Sequence, residues 1–324
     1  MVGRATTTKW NVIDDVTPLV SSTVRQPASV PAECIDAFAE LGVGHLPGAF
    51  VDWVEPLRTG LERMMRSPSD FAFPNESAEE AEPGRFFDAY CNWQRVPEFL
   101  LYAMTSSAAA IAAQCMQSPT AQLFHEHVFA KEVGTEKKTP WHHDLSYYCV
   151  DGTQTASVYV ALDDTDEETA VRFLGGSHRD GNIYTPRRFR SGADYPREDE
   201  SMVPAPVDEK DSEYPVISRS LVAGDAIVFD FRTLHGTTDA RIKSRRRAFS
   251  TRWLGEDVRY VERPGITSPP LGDLGVQEGE PMPEHLLVED REVGPERLGI
   301  QRRHRPLELG GHRGFALSRH ARFD

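Results

Sequence analysis

The 324-residue chain lacks long apolar runs, paired cysteine motifs and an excess of positive charge. It contains no run of about eighteen apolar residues and no apolar core near its amino terminus, so neither a membrane span nor a secretory leader is expected. Its four cysteines are scattered without a C-x-x-C pair, which argues against a zinc knuckle or a disulfide framework. The formal net charge of −14 disfavours nucleic-acid and anionic-membrane partners. We therefore expect a soluble, cytoplasmic protein with a small-molecule substrate; the oligomeric state is left open.

Helical periodicity is concentrated in the first part of the chain, at about residues 30–120. Apolar residues recur at helical spacing over residues 32–66, with an interruption from Gly42 to Pro47, which predicts two helices. A third helix is predicted from Val96 to Met116, because Pro97 can open a helix and the following alanines favour one.

Short strand-like segments follow the helical part. They are rich in β-branched and aromatic residues and are separated by Gly, Asp and Pro turns, which predicts an antiparallel barrel or sandwich. A single domain over residues 1–290, mainly β with flanking helices, is the simplest organisation. The segments are 124–133, 155–162, 170–174, 218–222, 226–231 and 247–254.

Two stretches depart from this pattern. A long polar insert at about residues 180–216 has the length of a lid or binding loop, and its Arg187, Arg188 and Arg190 are compatible with either an anionic substrate or a solvated patch. The segment 291–324 contains eight arginines and no lysine, and we predict a disordered tail there.

The segment Trp141-His142-His143-Asp144 offers the first metal-binding pattern. On a strand, His142 and Asp144 would point to one face and His143 to the other. His235 ends an alternating segment that begins at the Gly224-Asp225 turn, where a barrel rim would place it. Two imidazoles and one carboxylate are the ligand set of non-haem iron(II) oxygenases. The H-x-D pair alone is a weak signal, and His235 completes it.

A second histidine pair competes for this role. His125 and His127 also stand at positions i and i+2, and Glu132 follows, so that the segment partly resembles the metal-binding motif of small cupins. The flanking glycines of that motif are missing. The alternatives are a cupin-like isomerase or lyase that uses these three residues, a non-catalytic binding protein on the same scaffold, or histidines that merely pack in a half-buried strand.

Arg246 follows His235 in the run Ser244 to Trp253. Strand alternation places Arg246, Ala248, Ser250 and Arg252 on one face, where the small residues leave room for a ligand. A guanidinium can donate two parallel hydrogen bonds to a carboxylate. Three consecutive arginines are also typical of a solvated patch.

Together these residues resemble the phytanoyl-CoA dioxygenase family of iron(II)- and 2-oxoglutarate-dependent oxygenases, over roughly residues 30–265. The resemblance implies a cupin-like double-stranded β-helix (jelly-roll) barrel. The segments that carry it are Val128-Phe129-Ala130-Lys131-Glu132, Thr139-Pro140-Trp141-His142-His143-Asp144, Arg172-Phe173-Leu174-Gly175-Gly176-Ser177-His178-Arg179, Gly224-Asp225 and Leu234-His235-Gly236 through Arg246-Arg247-Ala248.

The resemblance also implies roles for single residues. His142, Asp144 and His235 would bind Fe(II), and Arg246 would bind the distal carboxylate of 2-oxoglutarate. Thr237 falls where the family places a hydroxyl that touches this co-substrate. Lys131 and Trp141 match the family pattern as cavity residues, and Lys131 is expected to bind the co-substrate with Arg246 and Thr237. His178 belongs to a structural turn.

The reaction that the resemblance implies is hydroxylation, or a related oxidation, of an unactivated C–H bond with O2, releasing succinate and CO2. Asp144 argues against halogenation, because halogenating relatives lack the aspartate. The primary substrate is not indicated. Tyr147, Tyr148 and Tyr159 are candidates for its cavity wall or for core packing.

Overall fold

The computed structural model describes residues 29–68, 86–135, 137–187, 201–238, 240–263, 267–269, 271, 274–283 and 320–322. Arg188 and Arg190 of the predicted insert lie outside the described residues, as does nearly all of the arginine-rich segment 291–324. From that segment the structure describes one short strand, His320–Arg322.

In the described part of the chain, four helices precede most of the β-structure. Their bounds are α1 Ala32–Leu41, α2 Val54–Arg66, α3 Pro97–Thr105 and α4 Ala108–Met116. Short 3-10 turns occur at Val51–Trp53, Leu145–Tyr147, Ser177–Arg179 and Glu209–Asp211.

The described strands form two antiparallel sheets and a small ribbon. Their bounds are β1 Val43–Leu46, β2 Phe86–Tyr90, β3 Thr120–Lys131, β4 Val150–Asp151, β5 Thr155–Ala161, β6 Arg172–Leu174, β7 Val216–Ile217, β8 Ala226–Phe229, β9 His235–Gly236, β10 Arg246–Leu254, β11 Arg259–Tyr260 and β12 His320–Arg322. The major sheet has the order β1-β8-β5-β10-β3, and both β2 and β12 pair with β3. The minor sheet has the order β7-β6-β9, and β4 pairs with β11.

The helices cover the outer face of the major sheet. Phe249 of β10 lies 4.7 Å from the ring of Phe99 and 5.0 Å from that of Tyr102, within a large apolar cluster that includes Leu57 and Ile111. The inner face of the major sheet meets the minor sheet, since Phe229 of β8 contacts Phe173 of β6 at 5.1 Å. The predicted β-rich class with flanking helices is confirmed, and the alternating strands leave one face of the major sheet available for a site.

The predicted third helix is wrong in one respect, because α3 and α4 are separate helices bent by 48°. Ser106 is extended, and its hydroxyl accepts the amide of Ala108 at 3.3 Å. Such local bonding by serine competes with continuation of a helix. In the described part of the chain, no single helix has the length and apolarity to cross a membrane. Helices α3 and α4 reach that length and apolarity only when they are counted together across their bend.

One predicted strand is absent from the structure, and one observed strand was not predicted. Residues 218–222 form no strand; Leu221 makes only an isolated bridge with Thr165. Strand β2 was not predicted, although its five residues are all buried. It pairs with β3 far along the chain, so the sequence around it carries little local signal.

Candidate metal centre

His142 and His235 are joined through their backbones. The amide of His142 donates to the carbonyl of His235 at 3.0 Å, and the amide of His235 donates to the carbonyl of His142 at 2.8 Å. The ring centroids are 4.2 Å apart. At Gly236 a Cβ atom would lie 2.9 Å from the carbonyl oxygen of Thr139, so glycine permits the close approach of these two segments.

Asp144 completes a buried triad with the two histidines. Its Oδ1 atom lies 3.9 Å from Nε2 of His142 and 3.7 Å from Nε2 of His235. One ligand atom from each residue falls within 4.8 Å of the others. Among the described residues, this is the one group of three or more His, Cys, Asp or Glu side chains that could hold a metal ion.

The expected strand geometry at residues 142–144 is wrong. His142 forms an isolated bridge, and Asp144 has helical backbone angles just before the 3-10 turn at Leu145–Tyr147. His143 nevertheless turns to other partners, because its Nε2 accepts the amide of Tyr184 at 3.2 Å. The structure thus brings His142 and Asp144 together through a bridge and a turn.

Both triad histidines are arranged to offer Nε2 to a metal. Nδ1 of His142 lies 2.8 Å from the carbonyl of Pro140, and Nδ1 of His235 lies 2.9 Å from that of Thr233. A carbonyl accepts only from a protonated nitrogen, so the lone pair of each neutral ring is on Nε2. Burial lowers the pKa of His142 to about 3 and also lowers the pKa of His235. Both rings are therefore neutral near pH 7.

The second oxygen of Asp144 is held by the protein. Arg252 Nη2 lies 3.4 Å from Oδ2, the hydroxyl of Ser157 donates to Oδ2 at 3.3 Å, and Arg252 Nε donates to the hydroxyl of Tyr148 at 3.1 Å. Burial alone would raise the pKa of Asp144, but Arg252 and the two triad histidines lower it to a net value well below the usual range. Asp144 is therefore a carboxylate near neutral pH.

Sequence reasoning placed Arg252 on the same face as Arg246 but gave it no role. The signal was available in the alternation of β10, which turns two arginines toward one side. What the alternation could not indicate is that Asp144 would be the partner of Arg252, because Asp144 lies in a turn.

A second polar cluster surrounds Arg246. In the register of β10 with β3, Arg246 stands opposite Lys131. Arg246 is 8% exposed and donates to the carbonyl of Thr169 at 2.5 Å and to the hydroxyl of Tyr159 at 3.2 Å. Lys131 Nζ donates to Thr237 Oγ1 at 3.3 Å. Four of the named candidates, Arg246, Lys131, Thr237 and Tyr159, therefore converge.

Strand β10 links this cluster to the triad. Arg246 stands at one end of its inner face and Arg252 toward the other, with Ala248 and Ser250 between them. The inner-face cluster of Phe173, Phe229 and Ala248 fills the space beside His235.

The rival set of His125, His127 and Glu132 does not come together. Glu132 forms an ion pair with Arg245 at 2.8 Å, whereas His127 Nε2 contacts Asp88. Because Glu132 is even-numbered and follows a strand whose odd-numbered residues face inward, it lies on the wrong side to share an ion with the two histidines.

The remaining candidates have structural contacts. Trp141 packs with Leu174, Tyr184, Ala205 and Leu234 on the far side of the minor sheet. His178 lies in a 3-10 turn, with Nε2 3.2 Å from the carbonyl of Ala39.

The first part of the long insert is tied down near the triad. The hydroxyl of Tyr147 accepts the amide of Arg187 at 2.7 Å and donates to its carbonyl at 2.8 Å. The guanidinium of Arg187 is buried and donates to the carbonyls of Ala205 and Pro206, so Arg187 forms part of the protein interior. The ring of Tyr147 lies edge-on to that of His142 at 5.8 Å.

Comparison with known proteins gives one family match. The family model described as phytanoyl-CoA dioxygenase (PhyH) matches residues 39–248. A search of curated protein sequences finds no match.

Three solved structures are similar in fold. The non-heme alpha ketoglutarate dependent carbocyclase SnoK from nogalamycin biosynthesis is 19% identical with a TM-score of 0.59, over 79% of this chain and 95% of SnoK. EctD from S. alaskensis, with 2-oxoglutarate and 5-hydroxyectoine, is 17% identical with a TM-score of 0.56, over 82% of this chain and 90% of EctD. The epimerase SnoN, in complex with Fe3+, alpha ketoglutarate and nogalamycin RO, is 19% identical with a TM-score of 0.55, over 80% of this chain and 95% of SnoN. The two sheets have the expected jelly-roll arrangement.

Proposed function

Because the chain belongs to the phytanoyl-CoA dioxygenase family, we propose that it is an iron(II)- and 2-oxoglutarate-dependent oxygenase that oxidises an unactivated C–H bond of a small-molecule metabolite. The observation that carries this proposal is the meeting of His142, Asp144 and His235, whose ligand atoms lie within 4.8 Å of one another. Bound iron(II) would supply the reaction with O2, in which 2-oxoglutarate is converted to succinate and CO2.

The donor set fits iron(II). Two neutral imidazoles and one carboxylate on one side of an ion leave the other positions for a co-substrate and O2. The Nδ1 contacts of His142 and His235 with backbone carbonyls fix the ring orientation that directs Nε2 toward Asp144. With Oδ2 of Asp144 beside Arg252 and Ser157, Oδ1 is the oxygen that would bind the ion.

Arg246 is the residue proposed to hold the distal carboxylate of 2-oxoglutarate. A guanidinium has five N–H donors, and its planar fork matches a carboxylate. Thr237 and Tyr159 carry hydroxyls that contact the same cationic cluster, and Lys131 adds a second positive charge. Two buried cations beside two hydroxyls suit the charged end of a dicarboxylate.

The insert contributes to the exclusion of water. Tyr147 anchors Arg187 above the segment that carries His142, and Tyr184 bonds the ring of His143 from the same insert. A covered site strengthens the electrostatic contacts within it and limits side reactions.

Hydroxylation is the proposed outcome. The presence of Asp144 fills the position that halogenating relatives leave to a halide. The similar structures include a carbocyclase and an epimerase, so the product must be determined directly. Mass spectrometry distinguishes a gain of one oxygen from the loss of two hydrogens.

Anaerobic titration with iron(II) and 2-oxoglutarate tests the proposal, with the weak visible band of the iron–keto acid chelate as readout. We expect the band in the native protein and in His143→Gln, and its loss in His142→Gln. The two variants make the same change in adjacent buried histidines, so a general effect on folding would appear in both. Absence of the band from folded native protein would refute the proposed function.

A further inference from the structure

The inner face of the major sheet carries a second polar group beside the triad. Along β3, His127 stands opposite Ser250 of β10 on one side and opposite Tyr90 of β2 on the other. Residues that stand opposite each other in an antiparallel pair point to the same face, with their Cβ atoms about 5 Å apart. His127 and Ser250 therefore share the face that also carries Arg252.

His127 is paired with a buried carboxylate. Its Nε2 contacts Oδ1 of Asp88, whose side chain is 5% exposed, while the side chain of His127 is 12% exposed. A carboxylate accepts a proton from its partner, so the neutral ring carries its hydrogen on Nε2 and its lone pair on Nδ1. No other hydrogen bond of this ring occurs within the described residues.

Two neighbouring side chains are buried without a partner in the described part of the chain. Ser250 is 1% exposed and its hydroxyl has no hydrogen bond, and the same is true of Nε2 of His125, a residue 3% exposed. Most buried polar atoms in folded proteins are hydrogen-bonded, so these two atoms lack a partner that a water molecule or a bound ligand would supply. Both atoms belong to the face that His127 shares.

Aromatic rings flank these polar atoms. The ring of Phe129 lies 4.2 Å from that of His127 at an angle of 32°, and Tyr90 lies 5.6 Å from His127 at 76°. The group adjoins the triad, since Arg252 stands opposite His125 and contacts Asp144. A ligand here would have an apolar body against the rings and a polar substituent at His127.

We propose that the Asp88–His127 pair, with Ser250, is the specificity site for a hydroxyl group of the primary substrate. The substrate hydroxyl donates to Nδ1 of His127, and the hydroxyl of Ser250 donates to the substrate oxygen. Asp88 acts as a positioning residue that fixes the imidazole tautomer. The inference rests on the proposed function and names its substrate class as hydroxylated molecules with an apolar ring or chain.

Binding of three matched probes tests this site. The probes are 1,2,3,4-tetrahydro-2-naphthol, its methyl ether and 2-aminotetralin, added anaerobically to the full chain loaded with iron(II) and 2-oxoglutarate. Ligand-detected NMR gives their dissociation constants. We expect the alcohol to bind about five-fold tighter than the ether, the effect of one hydrogen bond. In His127→Phe, which retains an aromatic ring, the ratio should fall to about one.

Asp88→Asn and His45→Phe provide the controls. The amide introduced by Asp88→Asn would no longer impose the Nε2–H tautomer on His127. The preference for the alcohol should therefore fall in this variant as well. The long-range proton–nitrogen NMR spectrum of the His127 imidazole should also change. His45 pairs with Asp225 at the other edge of the same sheet, and its replacement should leave the ratio unchanged.

The outcomes separate this inference from the proposed function. If the chelate band forms but the alcohol does not bind, binds no better than the ether, or binds less well than the amine, the hydroxyl site is refuted while the oxygenase proposal stands. A preference that persists in His127→Phe also refutes it. If the chelate band itself is absent, the proposed function fails first.

Discussion

Replacement of Arg246 should remove the distinction between 2-oxoglutarate and a keto acid without a distal carboxylate. 2-Oxobutyrate has the same metal-chelating end but no second carboxylate. In the native protein the guanidinium of Arg246, a residue 8% exposed, would meet that carboxylate with at least one charge-assisted hydrogen bond. A bond of this kind contributes up to about 3 kcal/mol, which corresponds to about 150-fold in Kd.

The assay is an anaerobic titration of each keto acid into the iron(II)-loaded protein, followed by the visible chelate band. We expect 2-oxoglutarate to bind about 150-fold tighter than 2-oxobutyrate in the native protein. In Arg246→Gln the ratio should collapse toward about one, and Arg246→Lys should recover only part of it because an ammonium lacks the planar fork.

Arg245→Gln is the matched control. Arg245 is the preceding residue on the opposite face, where it forms ion pairs with Glu62 and Glu132. Its replacement should change neither dissociation constant. If Arg246→Gln weakens both keto acids equally, or leaves the ratio intact, Arg246 does not bind the distal carboxylate and the reasoning from the cluster is wrong.

Three further predictions concern the supports of the site. Arg252→Gln leaves the buried Asp144 carboxylate without its cation, so the free energy of unfolding, measured with urea, should fall by about 3 kcal/mol; an unchanged value would contradict the assigned pairing. Burial lowers the pKa of His143 to about 3 from 6.5, so the folded state binds fewer protons than the unfolded chain below pH 6.5. Stability should therefore decline with acidification, by up to about 1.4 kcal/mol per pH unit from His143 alone, and His143→Gln should show a shallower decline. In Tyr147→Phe the Arg187 amide loses its acceptor, and its hydrogen exchange should accelerate about ten-fold, whereas exchange at the native rate would show that the tether is dispensable.

The meeting of His142, Asp144 and His235 could be expected from the sequence, because the resemblance to the family pointed to all three positions. His142 and Asp144 stand close in the chain, and His235 ends a segment whose alternation is easily recognised. The way in which the fold brings these three residues together could not be predicted from the sequence. The His142–His235 bridge depends on the minor sheet, and Asp144 reaches the site from a turn.

Arg252 and Asp88 show the limit of local patterns. Arg252 was assigned to the correct face, but its partner Asp144 is distant along the chain and not on a strand. Asp88 lies on β2, whose pairing with β3 is entirely non-local. The helix break at Ser106 was missed because the alanines beyond it continue the helical composition, and the serine hydroxyl acts only through its own local bond.

Strand β10 sets the scale of the whole site. Arg252 lies six positions beyond Arg246, and at about 3.4 Å per residue the two are about 20 Å apart along the strand. Strand β10 is paired on both sides, with β3 and with β5. This pairing fixes the distance between Arg246, proposed to bind the co-substrate, and Arg252, which contacts Asp144. A one-residue shift in register would turn both arginines to the opposite face of the sheet at once. On the proposed function, any change of substrate must leave the length and register of β10 intact.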